Sequence, residues 1–327
     1  MNVFTGAHEI PPGLGPSAVT IGKFDGVHTG HRAVLAQVNR VATERALRSV
    51  VVTFDRNPLA LLRPERCPRP LVSTTQKCEL LAEAGIDTVV VLPFDEPLSR
   101  LDAPTFVERI LVEQLQVAAL LAGRDFRFGA GGRGDVDLLI SLGEKHNFDV
   151  ILVDDVADAR GDRASSTKIR RLLEQGEVEQ ATALLGRYPS VRGEIVHGLA
   201  RGRQLGFPTA NVSSAMEGFP PDDGVYAGWL RDRGRRYPAA ISVGDNPTFD
   251  GVAKKQVEAY VLDEDMDLYG HVVDVEFVQR LRGMVAFAGI EPLIEQMRAD
   301  VEQTRQIITG SRAAKRSRSE SRGRSIS

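Results

Sequence analysis

Cysteine is almost missing from this chain: Cys67 and Cys78 are the only two among 327 residues. Two thiols do not make the disulfide framework of a secreted scaffold, and they read as reduced thiols of a cytoplasmic protein. Long apolar runs are missing as well. None approaches the ~18–20 residues needed to cross a bilayer, so no membrane partner is expected. Met1 to Ile10 has neither a basic start nor an apolar core, which argues against export. Net charge is also small, at −3, but unevenly spread. Residues 311–327 hold six Lys/Arg and one Glu, and setting aside that net +5 leaves −8 on the rest. An acidic body argues against nucleic acid as the main partner. The length suits two domains.

What is present begins with Val19-Thr20-Ile21-Gly22-Lys23-Phe24-Asp25-Gly26-Val27-His28-Thr29-Gly30-His31. An apolar run breaks into glycines and ends in two histidines three apart, just before a helical pattern. Glycine lets a backbone turn tightly and approach a ligand. The free N–H groups of a helix start attract anions, and imidazoles add donors. The stretch reads as a phosphate cradle built from Gly22, Phe24, Gly26, His28 and His31.

Val34, Leu35, Val38 and Val41 then recur at helical spacing, and 49–54 is a buried-strand run. Strand, helix, strand within about forty residues is a βαβ unit with a right-handed crossover. The alternation continues through helices near 74–84, 104–115 and 136–146 and apolar runs at 88–92, 117–121 and 150–153. Five such runs predict a doubly wound parallel α/β sheet, whose ligands bind at the carboxyl ends of the strands. Gly123–Gly129 follows the fourth run at that same edge. Phe126 and Phe128 there suit a packed extended loop, while Asp125 is placed to meet a sugar hydroxyl or a base. Ser165-Ser166-Thr167-Lys168-Ile169-Arg170 opens a further helix. Its hydroxyls suit an N-cap, and with Lys168 and Arg170 they also suit a phosphate clamp.

From Tyr188 the pattern changes. Val191–Val196, Gly224–Leu230, Ala239–Val243, Val257–Leu262 and Val272–Val278 are short alternating runs, followed by one amphipathic segment, Glu291–Ile308. This predicts an antiparallel barrel or sandwich with a terminal helix. The domains are therefore placed at 1–186 and 187–310, and the Ser/Arg composition of 311–327 predicts disorder. Gly198–Asn211 is a glycine-rich basic loop suited to phosphate, with Gly206 and Pro208 near its end. Thr209 and Asn211 supply oxygen ligands of the kind Mg²⁺ accepts. Asn246-Pro247-Thr248-Phe249 reads as a turn. Glu258 lies inside an otherwise apolar strand: a general base if it faces a ligand, a polar outer face if it meets water.

Taken in order, Gly22–His31, Gly123–Gly129, Ser165–Arg170, Gly206–Asn211, Gly224-Val225-Tyr226, Asn246–Phe249, Leu268-Tyr269-Gly270 and Arg282 resemble the prokaryotic bifunctional riboflavin kinase/FAD synthetase family, out to about residue 308. The resemblance implies an N-terminal FMN adenylyltransferase of nucleotidyltransferase type and a C-terminal riboflavin kinase barrel. ATP, riboflavin, FMN and FAD would be substrates and products, and Mg²⁺ would accompany ATP. It assigns phosphate contacts to His28, His31, Ser165, Ser166, Thr167 and Arg170, and places Asp125 where the family has Asn or Asp. Thr209 and Asn211 match its magnesium–ATP motif, Glu258 the carboxylate that activates the ribityl hydroxyl, and Asn246, Thr248 and Arg282 the flavin side. A homo-oligomer is compatible with the sequence. Two positions depart from the family pattern: Asn57, where Phe-Asp-Pro-His-Pro places histidine, and Lys23, more often Asn or a small apolar residue. They keep a second reading open, an active kinase whose N-terminal module is a weak or non-catalytic nucleotide- or flavin-binding regulatory domain.

Overall fold

A computed structural model describes residues 1–11, 14–154, 164–198, 205–246 and 254–323, without the side chains of 246, 254 and 311–323. The chain forms two compact units, Met1–Ser166 and Thr167–Ser327.

In the first unit, β1 (Asn2–Phe4), β2 (Ser17–Ile21), β3 (Arg48–Phe54), β4 (Thr88–Leu92), β5 (Val117–Gly123) and β6 (Asp149–Val153) form one sheet in the order β1-β4-β3-β2-β5-β6. Every pairing is parallel. The strands are apolar on both faces because both faces are covered. Val50 and Val52 of β3 point into one core layer with Leu111 and Leu139. Val51, between them, points into the other with Leu35, Val38 and Leu81. This period-two split is what a buried parallel strand requires. Helices α1 (Thr29–Glu44), α2 (Leu59–Leu62), α3 (Thr74–Glu83), α4 (Glu96–Arg100), α5 (Ala103–Phe106) and α6 (Val136–His146) carry the connections. Ser73 caps α3 in a reciprocal box with Gln76. Two features were not anticipated. Strand β1 has three mostly exposed residues and no pattern of its own; pairing with β4 creates it. The helix expected near 104–115 is α only to Phe106 and continues as a π-helix, Val107–Gln114.

In the second unit, α7 (Ser166–Glu174) and α8 (Val178–Leu185) precede a closed antiparallel barrel. Its strands are β7 (Ser190–Val196), β8 (Ala210–Val212), β10 (Gly224–Asp232), β11 (Arg235–Asn246), β12 (Lys254–Val261) and β13 (Val272–Arg282), with β9 (Glu217–Gly218) a short addition on β7. The order β13-β10-β11-β12-β8-β7 closes through β13–β7 pairing. Tyr226 and Phe277, both fully buried, meet edge-to-face inside it. Both α7 and α8 are tied to the barrel by hydrogen bonds. Leu173 O accepts from Asp222 N at 2.8 Å, and Gln175 O accepts from Arg280 Nη1 at 3.0 Å. A terminal helix, Ile290–Gly323, lies on β10, β11 and β13, with Ile308 packed against Trp229 and Val278. Its backbone stays helical through 311–323, where composition predicts disorder; Ala, Lys, Arg and Glu there favour helix, and proline is missing. No helix among the described residues is long and apolar enough to cross a membrane.

Candidate functional site

The strand order of the first unit reverses between β2 and β5, and such a switch point opens a crevice at the carboxyl ends of the strands. The loop after β2 enters it under strain. Phe24, Gly26 and Val27 have φ values of 47°, 82° and 38°. Left-handed geometry is costly for a β-branched valine, and full burial of Val27 holds it there. Phe24 is buried with its ring 5.1 Å from that of His31. His28 caps α1: its Nδ1 accepts from His31 N at 3.3 Å. That bond leaves the proton on Nε2. The two imidazoles stack at 3.7 Å and 15°. Gly30 makes room for the stack, since a Cβ there would lie 3.3 Å from the His28 ring.

Burial, followed by the charges of His28, Lys77 and Lys23, holds the His31 imidazole well below its ordinary pKa of 6.5. His31 is therefore neutral at pH 7. Below 6.5 the unfolded chain takes up a proton that the folded chain refuses, so stability falls as pH falls. Thermal unfolding should show a midpoint dropping on acidification, and His31→Gln should flatten that slope.

Ser166 lies beside the same loop, its Oγ donating to Asp25 O at 2.9 Å. Asp25 Oδ1 in turn accepts from Leu71 N at 2.8 Å. Ser165 is half-buried and Thr167 exposed. Arg170 is buried in α7, in the second unit. Across the switch point, Asp125 stands exposed just past the end of β5. Phe126 and Phe128 stack at 5.5 Å, so the packed-loop reading of the aromatics holds. On the β3 side of β2, a cavity of about 300 Å³ is lined by Lys23, Asn57, Val72 and Lys77 among others. Both departures from the family pattern face it.

In the barrel, β12 and β8 pair with Glu258 opposite Asn211. Gly206, at φ 84°, turns the chain before Pro208. Thr209 Oγ1 donates to Glu258 Oε2 at 3.1 Å. Gln256 Nε2 reaches Glu258 Oε1 at 3.0 Å and Asn211 Oδ1 at 3.1 Å. Asn211 Nδ2 donates to Thr209 O at 3.2 Å. A Cβ at Gly198 would sit 2.5 Å from the Asn211 amide, so glycine leaves space for it. Val257 and Ala259 are fully buried in the barrel while Glu258 between them points outward, into this network and not simply into water. Gln256 was missed by the sequence reading, although its spacing of two from Glu258 puts it on the same strand face.

Beside Thr209 and Pro208 a cavity of about 500 Å³ runs to Asp265, Leu268 and Tyr269. Tyr269 stacks on His197 at 3.9 Å. The Arg282 guanidinium is gripped by Asp300 of the terminal helix, with Nη2 to Oδ2 at 2.7 Å, and lies over Phe287. Arg282 thus anchors that helix, a role the sequence did not suggest. Just beyond it, Met284 and Val285 are exposed. Asn246 closes β11, and Thr248 lies outside the described residues.

Oxygen donors at Thr209 and Asn211 beside a carboxylate fit Mg²⁺ carried by a nucleotide. Among the described residues no group of three His, Cys, Asp or Glu forms a metal cage.

A strained glycine loop running into a helix start at a sheet switch point and a barrel bearing a Thr–Asn–Glu cluster define a two-module ATP-dependent transferase. Residues 11–168 match the FAD synthetase family and 185–308 the riboflavin kinase family. The bifunctional riboflavin kinase/FMN adenylyltransferase of Escherichia coli K12 is 36% identical over 310 residues, covering 94% of this chain and 98% of that one. The protein of that name from Pseudomonas fluorescens is 37% identical over 311 residues, covering 95% and 99%. A Streptococcus pneumoniae crystal structure described as a macrolide-efflux protein superposes with a TM-score of 0.84 at 32% identity, over 93% of this chain and 98% of that one. The chain belongs to the bifunctional riboflavin kinase/FMN adenylyltransferase family.

Proposed function

We propose that the barrel, residues 187–310, phosphorylates riboflavin to FMN with ATP, and that the α/β module, residues 1–186, adenylylates FMN to FAD in the cytoplasm. The observation that carries the first half is the closed network of Thr209, Asn211, Gln256 and Glu258. Glu258 accepts the proton of the terminal ribityl hydroxyl as the hydroxyl oxygen attacks the γ-phosphorus of ATP, whose bond to the β,γ-bridging oxygen breaks to release ADP. Gln256 and Thr209 hold one carboxylate oxygen each, which orients the base. Thr209 and Asn211 would hold Mg²⁺, which neutralises charge on the ATP oxygens. The nucleotide enters the cavity along Pro208, Leu268 and Tyr269, and the flavin ring lies on the side of Met284 and Val285.

In the second reaction an FMN phosphate oxygen attacks the α-phosphorus of another ATP, and pyrophosphate leaves. The nucleophile is already anionic, so no enzyme nucleophile is needed. Repulsion between anions is the obstacle. Within the first unit, His28 Nε2–H, His31, Ser165 and the N–H groups at the α1 start offset it. Ser166 spends its proton on Asp25 O and holds the loop in shape.

Riboflavin with Mg·ATP should yield FMN first and FAD later, with pyrophosphate released. FMN that accumulates without FAD would favour a regulatory first module instead. Asn57 is the residue behind that alternative, and Asn57→His is expected to raise the rate of FAD formation from supplied FMN. An unchanged rate removes Asn57 as the limiting feature.

A further inference from the structure

The cavity between the ends of β2 and β3 and the start of α3 contains three cations, and two are already engaged. Lys77 is buried, and its three protons have three acceptors: Phe54 O at 2.8 Å, Thr53 Oγ1 at 3.1 Å and Lys23 O at 3.3 Å. An ammonium has three donors, so Lys77 has none left for a ligand. Arg56 is held by Asp55 through Nε and Nη2, at 3.2 and 3.1 Å. Lys23 differs. It is exposed at the cavity, and its ammonium makes no hydrogen bond or ion pair with any described residue.

Its backbone, by contrast, is pinned. Lys23 O accepts from both Thr53 Oγ1, at 3.2 Å, and Lys77 Nζ. The following residue, Phe24, is buried in left-handed geometry. A flexible cation on a fixed backbone thus stands at the end of β2, the strand shared by this cavity and the β2/β5 crevice. Pro68, Pro70 and Val72 give the cavity an apolar wall. Two carboxylates also line it: Asp55 is paired with Arg56, and Asp25 Oδ1 accepts from Leu71 N. An apolar wall facing the Lys23 ammonium suits a planar apolar ligand carrying an anionic group.

We propose that Lys23 grips the phosphate of FMN in the α/β module and so makes that module select the phosphorylated flavin over the free vitamin. The proposal rests on the adenylylation reading above. ATP occupies the switch-point crevice, the flavin body lies against Pro68 and Val72, and Lys23 holds the attacking phosphate between them. Asn57 faces the same space with its Oδ1 committed to Leu59 N at 3.1 Å, so it adds no charge there. Lys23 is the only cation lining this cavity, among the described residues, whose head group is uncommitted.

The test uses the full chain, supplied FMN and Mg·ATP. Lys23→Gln should raise KM for FMN about tenfold or more, the scale of a lost hydrogen bond to a charged group, and leave KM for ATP unchanged. Lys23→Arg should stay near wild type, and riboflavin phosphorylation should not change in either variant. A KM for FMN that matches wild type overturns the proposal, as does a loss confined to KM for ATP. A wild-type protein that forms no FAD from FMN sinks the adenylylation reading itself, and is told apart from these outcomes by the wild-type control.

Discussion

Glu258→Gln should reduce FMN formation by about 10²–10⁴, the usual contribution of a positioned general base, while FMN supplied from outside is still converted to FAD. Glutamine keeps the volume and one acceptor oxygen, so the bond from either Thr209 or Gln256 can persist and β12–β8 pairing is undisturbed. What disappears is the site that takes the ribityl proton. Because Glu258 is half-buried on the outer face of the barrel, the fold should tolerate the change. Initial rates of riboflavin consumption, with thermal unfolding as a control, measure the effect. Loss of both activities together would count against separate modules, and an unchanged kinase rate would remove Glu258 as the base.

His28→Ala is expected to act in the opposite module: FMN production continues, and FAD production from FMN falls by about 10²–10³, as when one oxyanion donor is deleted. Two effects mix in this variant. His28 is also the N-cap of α1, and losing a cap costs about 1 kcal/mol. His28→Asn separates them, since asparagine is a good cap without an Nε2–H. A catalytic role predicts that His28→Asn recovers stability and not rate. Recovery of rate by asparagine would reduce His28 to a capping residue.

Much of this was legible in the chain. The apolar runs at 49–54 and 88–92 announce buried parallel strands because a strand covered on both faces must be apolar throughout. The break at Gly22 marks the strand end, and the histidines mark the helix start that uses one of them as its cap. What escaped was non-local. Strand β1 is three residues with no internal pattern, visible only through β4. Gln256 joins the barrel site through side chains 45 residues away in sequence. Arg282 also pairs with Asp300 of the terminal helix, a tie between distant parts of the chain that no local pattern announces.

Local order decided the elements, their alternation and the residue types that gather at their ends, because helix and strand periodicities are written within a few neighbouring positions. Tertiary structure alone decided which of those side chains are committed and which are free. Lys77 and Lys23 are both lysines in the sequence; only packing makes one a saturated internal brace and leaves the other available. The reason is that hydrogen-bond partnership depends on strands brought side by side, and no single stretch of chain encodes that adjacency.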